Sequence, residues 1–301
     1  MTAPAPGLPK PWATETAFTG HRPTGAPLNG NRPTGAPLNG NRPTGVPLNG
    51  NRPTGVPLNG NRQPQTLKRH RLNLLGAFQL IMDGRQVTVN PSAQRLLAVL
   101  ACFRRQASRA AIANALWPDS TSSRAHTNLR TLLYRLQRAQ PGLVLSTPAE
   151  LQLAPEVQVD IEGNRAMAIA VLNTRPGQGG HLLGRVEWTN FAEDLLPGWE
   201  GEWLSDHQHS YARLRLDALE RLSELLVHAR LPGAAVQTAL LVIQADPFRD
   251  SAHEALIRAY LAQGNRHDAI SHYVSYVELM RKELGLEPSA SLGEMLWSQA
   301  A

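Results

Sequence analysis

Thr121–Ala139 reads TSSRAHTNLRTLLYRLQRA, and the spacing of its apolar residues decides how the rest of the chain is read. Ala125, Leu129, Leu132, Leu133 and Leu136 fall at the i, i+3, i+4, i+7 positions of a 3.6-residue period. That predicts one amphipathic helix packed on a core by this face. The opposite face carries Arg124, Thr127, Thr131, Tyr134 and Arg138, and Ser123, Asn128, Arg130 and Arg135 lie on the two flanks. The stretch holds no Asp or Glu. A face that only meets solvent usually mixes both signs in i, i+4 pairs. This one offers positive charge, hydroxyls and amides. Arg forks onto guanine edges or phosphates, Asn pairs with adenine, and Thr touches a thymine methyl. A merely soluble basic helix would look the same in isolation, so the surroundings decide.

Upstream, Leu72–Leu75 and Phe78–Met82 are short apolar runs, and Asp83-Gly84 is a hairpin turn signal before Val87–Val89. A small antiparallel sheet is expected there. Asn90-Pro91 reads as N-cap and N1 of a helix through about Arg104, with Leu96, Leu97, Leu100 and Phe103 inward. Ser108 caps a second helix, Arg109 to Trp117, stopped by Pro118, with Ile112 and Leu116 on its core face. Downstream of Pro141-Gly142, Leu143–Ser146 and Leu151–Leu153 flank Thr147–Glu150 as a terminal hairpin. Sheet, helix, helix, basic helix, hairpin is the order of a winged helix-turn-helix. In a helix-turn-helix the second helix of the motif enters the major groove and the preceding one braces it.

Charge supports that division. Residues 1–65 carry a net +5, residues 66–155 a net +9 and residues 156–301 a net −8, within an overall +6. A basic block of domain size followed by an acidic one suits a nucleic-acid binder joined to something else. The basic block lacks the strongly apolar, basic-rimmed helix that would dock on a membrane. Residues 21–60 are four near-identical decapeptides, each with two Pro, two Gly and one Arg. Such repeats bury too little to offset chain entropy, so residues 1–65 are expected to be a disordered tail. Arg22, Arg32, Arg42, Arg52 and Arg62 would at most brush phosphates.

From about Asp160 the chain turns Ala/Leu-rich. Helices are expected at Asp160–Leu172 and at about 204–229, 233–245, 250–263 and 266–284, with a loop at 173–184 and an aromatic-clamped turn at 191–203. Leu222 and Leu256, Leu226 and Tyr260, Ala235 and Ala269, and Ala239 and Tyr273 are each 34 residues apart, the tetratricopeptide period. Gly264 falls where that repeat ends a helix, and Pro247 ends the first unit. Two units are too few to stand alone, so helices upstream must complete the core.

Ala115–Arg138, ALWPDSTSSRAHTNLRTLLYRLQR, resembles the DNA-binding domain of the OmpR-type winged-helix family. The matches are Ala-Leu-Trp at the end of the middle helix, the acidic residue after it, and the Leu-Arg…Tyr-Arg-Leu…Arg pattern. Where that family's wing carries Gly-Tyr-Arg-Leu or similar, this chain has Ala149-Glu150-Leu151, and Glu150 would repel phosphate. Over residues 72–297 the chain resembles the antibiotic-regulatory-protein (SARP) family of bacterial transcriptional activators. The second-half pieces are Asp194–Trp199, Ala245–Phe248, Ser251–Tyr260, Gly264-Asn265 and Glu283–Ser289. The resemblance implies binding to promoter direct repeats, contact with RNA polymerase, and a helical domain that supports a homodimer.

The expected fold is therefore an α+β winged helix-turn-helix at 66–155, followed by an all-α tetratricopeptide-like bacterial transcriptional activator domain at 156–301. The expected partner is double-stranded DNA. Arg124, Thr127, Asn128 and Thr131, with Ser123 beside them, are candidates for base edges, and Arg109, Arg130, Arg135 and Arg138 for phosphates. No enzyme motif of the GxSxG, HExxH, CxxC or Walker type occurs. No cofactor is expected, nor a metal, since His207 and His209 are two apart and point to different sides of a helix. A single cysteine, Cys102, fits a reducing compartment. The absence of an apolar leader or an 18-residue apolar run fits a cytoplasmic protein without membrane contact. Two alternatives stay open: a repressor or effector-gated regulator on the same scaffold, and a tetratricopeptide-type adaptor whose basic half is incidental.

Overall fold

Asp83 and Gly84 both take positive φ, 50° and 78°, the backbone a two-residue type I′ hairpin requires. They join β2 (Gln79–Met82) to β3 (Arg85–Val87), and β1 (His70–Asn73) lies antiparallel on the other side of β2. The computed structural model describes residues 70–184, 186 and 188–298. The tail expected at 1–65, its arginines and the start of ordered chain near Leu67 lie outside the described residues. A fourth strand, β7 (Val157–Val159), adds in parallel to β1, pairing His70 with Val157 and Leu72 with Val159. The sheet order is thus β3-β2-β1-β7.

Asn90 caps α1 (Pro91–Cys102), its side chain accepting from the Ala93 amide at 2.9 Å. Leu96, Leu97 and Leu100 are fully buried, while Phe103 is half-buried at the edge of the core. The Cys102 thiol packs inside, and burial pushes its pKa up to about 11, so it is an inert packing group. Arg104 and Arg105 follow with φ of 54° and 73°. They turn the chain into β4 (Gln106–Ser108), a strand without β-forming side chains that the sequence did not announce. Ser108 then caps α2 (Arg109–Leu116), accepting from the Ala111 amide at 3.1 Å. Ile112 and Leu116 are buried as expected. Next comes α3 (Ser122–Ala139). The hairpin β5 (Val144–Ser146) and β6 (Glu150–Leu153) closes the run, and β4 pairs on the outer edge of β6.

The second half begins with α4 (Asp160–Asn173). Within the segment read as a loop, Gly180–Leu183 forms a single turn, α5. A 3-10 turn at Trp188–Phe191 precedes α6 (Glu202–His228), α7 (Pro232–Ala245), α8 (Asp250–Gln263) and α9 (Arg266–Leu284). A further helix not anticipated from the sequence, α10 (Ala290–Ser298), packs on α8 and α9. The 34-residue partners behave alike inside: Leu222 and Leu256 are buried, and Ala235 and Ala269 have 0% exposure. Gly264 ends α8 at φ 80°, a left-handed cap that glycine adopts without a Cβ penalty.

The core of the first half extends into the second. Leu195, Leu196, Leu204 and Tyr211 pack with Leu72, Leu96 and Leu129. The aromatic turn expected at 191–203 is present, with Trp199 stacked on Phe78 at 5.9 Å. The backbone joins them too. The Leu74 and Leu75 amides donate to the Asp160 carboxylate at 2.9–3.0 Å, the Gly76 amide to the Asp194 carbonyl at 2.8 Å, and the Leu196 amide to the Leu74 carbonyl at 2.8 Å. Burial raises the Asp160 carboxyl pKa, opposed by the backbone N–H bonds from Leu75, Leu74 and Ile161.

Candidate nucleic-acid interface

Two opposed faces define α3. Ala125, Leu129, Leu132 and Leu136 are buried, with Leu129 at 0% exposure, and Leu133 sits half-buried at the rim. Burying one such leucine stabilises the fold by roughly 1.5–3 kcal/mol, which fixes the roll of the helix about its axis. The Thr121 hydroxyl caps the start, accepting from the Arg124 amide at 3.4 Å. What the roll leaves outside is Ser123, Arg124, Thr127, Arg130, Thr131, Arg135 and Arg138, all exposed. Asn128 is half-buried on the flank. Tyr134 is the most exposed large hydrophobic residue of those described, at 66%.

These arginines are unengaged. Among the described residues no ion pair involves Arg124, Arg130, Arg135 or Arg138, whereas Arg215, Arg221, Arg249 and Arg258 in the second half are each bound to a carboxylate. A polyanion laid on α3 therefore meets guanidinium groups with no protein acceptor to give up. The threonines differ. Thr127 donates its hydroxyl hydrogen to the Ser123 carbonyl at 3.0 Å, and Thr131 does the same to the Thr127 carbonyl at 3.1 Å.

Arg109 stands apart from the α3 set. It is half-buried at the start of α2. Its Nε donates to the Thr147 carbonyl at 2.8 Å and a terminal nitrogen to the Ser146 hydroxyl at 2.6 Å. Its own amide donates to the Ala149 carbonyl at 2.9 Å. The guanidinium thus holds the β5–β6 turn against α2 while adding positive charge beneath it. Inside that turn the Glu150 amide donates to the Thr147 hydroxyl at 3.0 Å. The Glu150 carboxylate accepts from the Gln106 side-chain amide, which draws it sideways onto β4. No pattern in the sequence announced the Arg109–Thr147 or the Gln106–Glu150 contact, because each joins residues about 40 positions apart.

The second half holds an open groove of about 580 Å³ along α6 and α8, lined by Asp217, Glu220, Arg221, Glu224, Glu254 and Arg258 among others. Most of these charges are already paired with one another or with Arg249. His207 packs its ring at 5.7 Å from Phe103, and burial, with the charge of Arg165, lowers its pKa. Among the described residues no three His, Cys, Asp or Glu side chains are placed to hold a metal ion, and no helix is long and apolar enough to cross a membrane.

Residues 187–296 match the bacterial transcriptional activator domain family. Over 236 residues the chain is 25% identical to the regulatory protein AfsR of Streptomyces coelicolor, a match covering 75% of this chain and 24% of AfsR. It is 24% identical over 241 residues to the transcriptional regulatory protein MoaR1 of Mycobacterium tuberculosis, covering 74% of this chain and 76% of MoaR1. The chain thus spans about a quarter of the length of AfsR but most of MoaR1. Among solved structures, Mycobacterium tuberculosis EmbR, in complex with a low affinity phosphopeptide, superposes with a TM-score of 0.62 at 20% identity. That likeness of fold covers 77% of this chain and 66% of the EmbR chain.

Proposed function

The chain belongs to the antibiotic-regulatory-protein (SARP) family of bacterial transcriptional regulators, and from that premise we propose that it binds DNA sequence-specifically and activates transcription. In this reading residues 66–155 form a winged helix-turn-helix in which α2 braces α3 in the major groove. Residues 156–301 form a tetratricopeptide-like activator domain. The observation that carries the proposal is the face of α3. Eighteen residues of helix are locked on a core by one stripe, and the other stripe is acid-free, exposed and free of ion pairs. Arg124, Thr127, Asn128 and Thr131 address base edges, with Ser123 at the rim; Arg130, Arg135 and Arg138 address phosphates. Arg109 positions the wing and adds charge to it. Promoter direct repeats, contact with RNA polymerase and a homodimer follow from the family and belong to the same proposal.

The test is affinity for a preferred and a scrambled duplex at several salt concentrations. Arg124→Ala and Thr131→Ala each cost roughly 1–3 kcal/mol on the preferred duplex and little on the scrambled one. Arg138, on the same stripe about two turns further along, contacts the backbone. Its replacement by Ala lowers the salt slope by about one ion on both duplexes. Equal losses on both DNAs for Arg124→Ala and Thr131→Ala would refute base reading by this face. A reporter driven by a bound promoter separates activation from repression.

A further inference from the structure

Thr127 and Thr131 stand one helical turn apart on the exposed face of α3. Each spends its single O–H hydrogen on its own helix, at 3.0 Å to the Ser123 carbonyl and 3.1 Å to the Thr127 carbonyl. A threonine in this state cannot donate to a base. With the oxygen committed to the helix backbone, the Cγ2 methyl is the group each exposed side chain has left for an outward contact. Two methyl groups are thus offered by a surface otherwise made of guanidinium, amide and phenol groups and the Ser123 hydroxyl.

In the major groove only thymine presents a methyl group; every other feature of a base edge is a donor or an acceptor. Resting on the DNA-binding reading above, we infer that Thr127 and Thr131 read thymine, methyl against methyl, at two positions of the site. Four residues of helix advance about 6 Å, and stacked bases about 3.4 Å. The two thymines therefore lie about two base steps apart. Arg124, one turn before Thr127, addresses a neighbouring base edge, and the flanking Arg130 and Arg135 fix the register on phosphates.

Deoxyuridine tests this without altering the protein, because it differs from thymidine only by the missing methyl. A preferred duplex is selected from a random pool with the full chain, and each thymine in it is replaced in turn by deoxyuridine. Affinity falls about fourfold at each of two positions, the loss expected for one methyl returned to water, and is unchanged at the other thymines. Thr131→Ser removes the protein methyl and keeps the back-bonded hydroxyl; it abolishes the uracil penalty at one position and leaves the other. Thr131→Val keeps the methyl and loses the hydroxyl; its uracil penalty persists. Thr127→Ser and Thr127→Val do the same at the second position. A selected site without thymine, full affinity for the all-uracil duplex, or a uracil penalty that survives in both serine variants overturns the inference while leaving DNA binding intact. Indifference to all duplex sequences is a different result, and defeats the DNA-reading proposal itself.

Discussion

The histidines of α8 and α9 set an acid limit on the helical half. His253 is 2% exposed. Its Nε2 lies 2.9 Å from the Pro247 carbonyl oxygen, which only accepts, so this nitrogen carries the hydrogen. Its Nδ1 is then bare and accepts from Nε2 of His272 at 2.9 Å. The ring stacks on Tyr276 at 3.5 Å and lies nearly parallel to that of His272 at 5.0 Å. A second proton on His253 would set two N–H groups against each other. Burial lowers the pKa of both imidazoles, that of His272 to about 4 with His253 adding to the effect; Asp246 and Asp250 pull His253 the other way and are outweighed. Both folded values lie below the ordinary value of about 6.5. The folded state therefore binds fewer protons than the unfolded one between about 6.5 and 4. The stability this pair contributes is present above that window and is lost as the pH falls through it. For His272 alone the loss from pH 7 to pH 5 is about 2 kcal/mol, or about 4–8 °C in melting temperature for a body of this size. The measurement is thermal unfolding by circular dichroism at both pH values for the natural chain and for His272→Gln, which keeps a donor for His253 and does not titrate. The substitution removes the His272 share of the pH dependence, and His253 and His207, both also lowered by burial, supply what remains. An equal pH-dependent loss in the variant would refute the reasoning.

Three further outcomes are expected. Ala269→Trp overpacks a site with 0% exposure in the α8–α9–α10 core and costs about 1–3 kcal/mol; an unchanged melting profile would contradict the close helix contact. Arg104→Gly relieves an exposed residue held at φ 54° and raises stability by up to about 1 kcal/mol, read as a higher midpoint in urea. A fragment of residues 66–155 lacks β7 and Asp160, so the β1 edge and the Leu74 and Leu75 amides lose their partners. It binds DNA weakly and melts below a fragment ending at Asn173, and equal melting of the two would show that these contacts add nothing.

Where the signal was local, the sequence carried it. Asn90-Pro91, Ser108 and Asp83-Gly84 act on neighbours within a few residues, and the caps and turn stand where they were expected. The apolar stripe of α3 repeats over about three turns, long enough to fix one face, and its complement is the exposed face. What escaped notice was short or was made by distant chain. β4 is Gln-Ala-Ser and β7 is Val-Gln-Val; three residues show no period. Each is a strand only because β6 or β1 lies beside it. The helix α10 is nine residues long and follows Pro288, and its place is set by Leu292 and Leu296, which fill the core of α8 and α9.

The same distinction separates what could be read at the candidate interface from what could not. Sequence gives the residue types on α3 and their stripe, because a helix maps position to direction. It does not give the state of each group. Thr127 and Thr131, read as contacts to base edges, have their hydroxyl hydrogens used by the helix. Arg109, read as a phosphate contact, also braces the β5–β6 turn. The junction shows the distinction most plainly. Asp160 reads as an ordinary first-turn acid, yet its carboxylate holds the end of β1. Asp194 binds Arg215, which is 4% exposed and also donates to the Phe191 carbonyl, while the Asp194 backbone holds Gly76. Removing Asp194 would leave a buried cation short of its counter-ion, a change that is strongly destabilising where the partner is fully enclosed and less so here, because Asp194 itself is open to water. That pair, the Asp194 carbonyl and the Asp160 carboxylate tie the end of β1 to α4 and α6. A displacement of α4 or of the turn before α6 therefore reaches the end of β1 through hydrogen bonds of about 3 Å.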